Sequence, residues 1–65
     1  MKMYYDGQER EVVRINVFCG GVLMATFLGA WIRKSKTKVI IIDTELKEHT
    51  ITYPGGVVIE ELPEE

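Results

Sequence analysis

Apolar and polar residues alternate through Val13-Arg14-Ile15-Asn16-Val17-Phe18-Cys19. Val13, Ile15, Val17 and Cys19 share one face, with Arg14, Asn16 and Phe18 on the other. A period of two predicts a half-buried strand over residues 12–19. Gly20-Gly21 follows at once. Two glycines between β-rich runs signal a tight hairpin, because primed turns need positive φ. The next run, Val22 to Arg33, is largely apolar on both sides: Leu23, Ala25 and Phe27 fall on one face, Val22, Met24, Thr26 and Leu28 on the other. Gly29-Ala30 inside it predicts a bulge or a sharp bend. Leucine, methionine and alanine also suit a helix over 22–33, an alternative that Gly29 and the β-branched flanks oppose.

Arg33-Lys34-Ser35-Lys36-Thr37-Lys38 predicts a charged turn. Val39-Ile40-Ile41-Ile42 is four consecutive β-branched residues, the pattern of a strand buried on both faces. Residues 44–48 turn the chain, and His49 to Tyr53 predicts a short strand with Ile51 and Tyr53 on one side. Pro54-Gly55-Gly56 ends it, and Val57-Val58-Ile59 is a last short strand before an acidic end, Glu60, Glu61, Glu64 and Glu65. The first eleven residues either add a strand around Met3–Tyr5 or stay partly loose. Five short antiparallel strands predict a single all-β domain over 1–65: a small, strongly bent barrel, since closure removes exposed edges.

Composition supports strands. Val, Ile and Thr supply nineteen of 65 residues, while Ala supplies two. A formal charge of −2 excludes a strongly basic nucleic-acid clamp. A chain of about 60 residues buries only ~60% of its unfolded surface, so such domains usually need a disulfide, a metal or self-association. Cys19 is the only cysteine and His49 the only histidine, which leaves no intrachain disulfide and too few ligands for a zinc staple. Self-association is the remedy left, and no cofactor is implied. The run 22–32 is too short to span a bilayer, and no apolar stretch follows Lys2 as a signal peptide requires. The expectation is a soluble, cytoplasmic protein without membrane or metal partners.

Chemistry-bearing residues are sparse. Cys19 and His49 are the only nucleophile–base pair on offer, and Cys19 falls in an apolar strand pattern where cysteine acts as a small core residue. Asp43 and Glu45 imitate a carboxylate pair but flank a turn. The expected domain is therefore not an enzyme. Arg33, Lys34, Lys36 and Lys38 place four cations within six residues, a cluster able to contact phosphates of RNA or single-stranded DNA. Trp31, Tyr53 and Phe18 would add stacking surfaces if exposed. The plainer account of the lysines is a solvated turn that keeps an edge from aggregating. The two-sided apolar run carries the expectation of a homo-oligomer, with Val22, Met24 and Leu28 as its interface.

Residues 13–62 resemble the Sm-like family, particularly its bacterial Hfq branch. The matching features are Val13-Arg14-Ile15-Asn16-Val17, glycine in the following turn (Gly20 or Gly21), and a long strand with small Ala25 where the family usually has glycine. Val39–Ile42 resembles the family's apolar third strand, and Thr50–Tyr53, a tight turn and Val57–Ile59 resemble its last two. The resemblance implies a five-stranded, strongly bent barrel of SH3-like or Sm-like kind, ring assembly and RNA binding. The family's Asp and Asn signature is absent, with Ala30-Trp31 and an inserted basic turn in its place. The Lys-His pair of Hfq is replaced by Pro54-Gly55-Gly56. Both missing elements serve RNA recognition, so no binding residue carries over.

Overall fold

Alternation, β-branching and paired glycines leave the chain little choice but hairpins. The computed structural model describes residues 1–64, in seven strands with no helix among them. β1 (Lys2–Tyr5) and β2 (Gln8–Glu11) form a separate two-stranded hairpin. Its Asp6-Gly7 turn has φ of 55° and 77°, the doubly positive pair that a primed turn needs. β3 (Val13–Cys19), β4 (Val22–Lys34), β5 (Lys38–Asp43) and β6 (Glu48–Thr52) follow as successive antiparallel hairpins. β7 (Val57–Pro63) returns to the far side of β3, giving the order β6-β5-β4-β3-β7.

β4 is the organising strand. Its first part, Val22–Gly29, pairs with β3, and its last part, Gly29–Lys34, pairs with β5. The register shifts between Gly29 and Trp31, so Ala30 is an extra residue and the strand bends there. A Cβ at Gly29 would collide with the Ile42 carbonyl oxygen and lie 3.2 Å from Asp43 Cα, so the bend requires glycine for room.

The bend separates two cores. On the inner face, Ile15, Val17, Cys19, Val39, Ile41 and Val57 are buried together. On the outer face, the β1–β2 hairpin covers the bent end of the sheet, where Met3, Val12 and Ile42 are buried against Tyr5, Ala30 and Trp31. β5 is thus buried from both sides, as its run of β-branched residues predicts: Val39 and Ile41 inward, Ile42 outward.

Several expectations are corrected. The sheet does not close into a barrel: β6 and β7 are its two ends and do not pair with each other. The helical alternative for 22–33 gives way to one continuous strand. The last strand is longer than Val57–Ile59, because Glu60 and Glu61 stay in register with Asn16 and Ile15 of β3. Charge on an edge strand faces water, so an acidic sequence does not end the pairing. The basic turn is shorter than 33–38, since Arg33 and Lys34 belong to β4 and Lys38 to β5. Glu65 of the acidic end lies outside the described residues. No helix of the described residues is long and apolar enough to cross a membrane.

Candidate functional site

The interface residues inferred from the sequence are all on the surface, but in a different arrangement. A second register shift, between Val17 and Phe18, makes Met24 an extra residue, so Val17 faces Ala25 while Phe18 faces Leu23. Strict alternation fails there, and Leu23 moves to the outer face. Val22, Leu23 and Met24 are consecutively exposed, at 59%, 51% and 59%. Phe18 lies between Leu23 on β4 and Val58 on β7, and Val58 is 62% exposed. The result is an apolar row across three strands at the Gly20-Gly21 end. A polar row bounds it: Thr26 Oγ1 donates to Asn16 Oδ1, and Asn16 Nδ2 donates to Glu60 Oε1, both at 2.9 Å. Leu28 is exposed beyond that row, apart from Val22 and Met24. Leu23 was not separable from core residues by pattern, because a one-residue bulge leaves no mark in the sequence. Val58, by contrast, sits in regular register on β7 between inward-facing Val57 and Ile59.

The four cations do not form one cluster. Arg33 stands opposite Ile40 on the outer face, and Lys38, two residues before Ile40, points the same way. Lys34 stands opposite Val39 and takes the inner side, while Lys36 occupies the turn itself. The three aromatic residues are also dispersed. The Tyr53 ring lies against Gly20 and Gly55, Phe18 joins the apolar row, and Trp31 lies beneath the hairpin.

Trp31 marks a site that strand reading missed. It helps line a groove of about 520 Å³ between the β1–β2 hairpin and the outer face of β4 and β5, together with Tyr5, Arg10, Arg33, Ile40 and Glu48. The Arg10 guanidinium sits 4.6 Å from the indole centroid, a cation–π distance. The Tyr5 ring meets the indole edge-on at 5.4 Å. The available signal was Asp6-Gly7, a two-residue hairpin turn; the wholly polar Gln8–Glu11 run concealed the strand after it.

Cys19 and His49 are not partners. Cys19 is buried in the inner core, whereas His49 Nε2 lies 2.6 Å from Asp43 Oδ2, and its ring packs at 4.6 Å on Phe27. Asp43 also organises the turn after β5: its Oδ1 accepts from the backbone N–H of Glu45 at 2.8 Å and of Lys47 at 3.0 Å. Glu45 is exposed and does not join a carboxylate pair. Among the described residues, no three of His, Cys, Asp and Glu come together as a metal ion needs.

These bonds, the one from His49 first and the Lys47 amide next, hold the Asp43 carboxyl below its ordinary pKa. In the unfolded chain Asp43 has the ordinary value, so its contribution to stability is complete above that value and is lost as pH falls through the lower folded one. Melting temperatures recorded from pH 5 down to pH 2.5 should therefore fall more steeply for the parent chain than for Asp43→Asn. Parallel slopes would show that Asp43 is not a source of the acid sensitivity.

Comparison with protein-family models, with curated proteins and with solved structures finds no match for this chain.

Proposed function

We propose that the chain is a non-catalytic interaction module, a small bent β domain of SH3-like or Sm-like kind, that associates with copies of itself. The observation that carries this reading is the apolar row of Val58, Phe18 and Leu23 with Met24 at the bulge beside it, Leu23, Met24 and Val58 being more than half exposed. Val22, opposite Cys19, is exposed at the same end of the strand on the other face. Large contiguous apolar patches are uncommon on monomers and mark interaction surfaces. The open edges of β6 and β7 offer further backbone pairing. Burial of Cys19 and the engagement of His49 by Asp43 support a non-catalytic role.

The alternative, RNA or single-stranded DNA binding through the basic turn 33–38, has less support because its cations divide between two faces.

Light scattering at micromolar concentration tests the assembly. The expected species is a multiple of 7.4 kDa, and Met24→Lys should dissociate it while the β signal in circular dichroism persists. A parent chain that scatters as a monomer overturns the reading.

A further inference from the structure

The groove under the hairpin lies at the opposite end of β4 from the apolar row, so assembly through that row leaves it open. Its aromatic floor is fixed in place. Arg10 Nε and Nη2 donate to Gln8 Oε1 at 3.2 and 2.9 Å, and Nη1 donates to the Ala30 carbonyl at 3.4 Å. These bonds hold the guanidinium over the indole of Trp31, while Arg10 stays exposed and keeps N–H groups to spare. Across the strands, Trp31, Ile42 and Glu48 stand in one row, and Arg33, Ile40 and Thr50 in the next. Lys38, opposite Thr52, stands one row further along the same face, outside the groove's lining but within a side chain's reach of it. Arg33 makes no ion pair or side-chain hydrogen bond among the described residues. The lining carries two acids, Asp6 and Glu48, and two cations, Arg10 beside the indole and Arg33 one row away, with Lys38 one row beyond Arg33. Rows two residues apart are about 6.6 Å apart, room for a sugar between a ring and a phosphate.

We propose that this groove binds a phosphorylated heteroaromatic ring, the chemistry of a nucleotide. The ring stacks on the Arg10–Trp31 pair, since guanidinium planes and indoles both accept bases. Glu48 accepts a hydrogen bond from an exocyclic amine of the ring. Arg33 and Lys38 take the phosphate, where charge-assisted bonds are strongest. Neither Lys34 nor Lys36 takes part. A mononucleotide and the end of a single strand present the same groups.

Trp31 is the only tryptophan, so its fluorescence reports on the groove directly. The full chain is titrated with AMP, adenosine, inorganic phosphate and a short oligoadenylate. AMP should change the emission saturably, with adenosine at least about tenfold weaker and phosphate alone without effect. Arg33→Gln, a surface change, should weaken AMP about tenfold and leave adenosine unchanged. Arg10→Lys, which keeps the charge and loses the plane, should weaken both. Circular dichroism establishes that each variant is folded. An oligoadenylate that binds more tightly than AMP, with steep salt dependence, identifies nucleic acid as the source of the ligand; equal affinities identify the free nucleotide. No saturable change with AMP or oligoadenylate at millimolar concentration overturns the proposal. So does an AMP-to-adenosine ratio that Arg33→Gln does not alter. Light scattering on the same samples keeps this result separate from assembly, since an intact oligomer that fails to bind overturns the ligand alone.

Discussion

Gly29→Ala is expected to unfold the domain. The added methyl would meet the Ile42 carbonyl oxygen and stand 3.2 Å from Asp43 Cα, both backbone of the neighbouring strand. Backbone cannot swing aside as a side chain can. Relief would mean separating β4 from β5 at the bend, where Gly29 pairs with Asp43. Overpacking costs about 1–3 kcal/mol where side chains can adjust, and here they cannot. A domain of this size holds only about 3–5 kcal/mol in all. Gly21→Ala is the informative control. Gly21 has φ of 79°, and an added methyl there would meet nothing within 4 Å, so its cost is conformational alone, about 1 kcal/mol. Circular dichroism with urea titration should find Gly29→Ala unfolded without denaturant and Gly21→Ala folded with a lowered midpoint. Equal midpoints for the two would mean that the bend does not depend on the missing side chain.

The second large effect lies in β5 and separates adjacent isoleucines. Ile41→Ala removes a side chain with no exposure from the centre of the inner core, among Ile15, Val17 and Val39. Such truncations cost about 2–5 kcal/mol, the lost transfer energy plus the cavity left behind. Ile40→Ala, on the outer face and lining the open groove, removes a half-buried side chain that leaves no sealed cavity. Its cost should be about 1 kcal/mol, near the middle of measured single substitutions. Urea midpoints should therefore fall sharply for Ile41→Ala and slightly for Ile40→Ala. Comparable losses would place Ile40 in a second sealed core and contradict the groove.

The contrast within Ile40-Ile41-Ile42 also shows what was readable in advance. Four consecutive β-branched residues announce a strand covered on both faces, and β5 is one. Gly20-Gly21 announces its hairpin by the positive φ that only glycine adopts freely, and both residues have it. Gly29 announces a bend, since a glycine inside an apolar strand run has few other uses. What covers the outer side of β5 could not be read. Gln8–Glu11 carries no apolar pattern, and it forms a strand only because Met3 and Tyr5 opposite it dock on Ile42 and Trp31. That is a tertiary effect, and so is the placement of Arg10 over Trp31. The split of Arg33, Lys34, Lys36 and Lys38 between faces follows from strands longer than the sequence suggested. The exposure of Leu23 follows from a bulge whose extra residue, Met24, looks like any other apolar neighbour.

The position of β7 bears on how the domain assembles in time. β3 meets β4 across a two-residue turn, with Cys19 opposite Val22. Its other edge meets β7 with Cys19 opposite Val57, so residues 20–56 must first close into a loop. Loop-closure entropy grows by about 0.6 kcal/mol per doubling of length, which makes this closure roughly 2–3 kcal/mol costlier than the local hairpin. Non-local pairings of this kind slow folding, because the entropy is lost before the contacts form. Chain connectivity thus does least for the strand that completes β3. Its attachment rests instead on Val57 and Ile59 against the inner core.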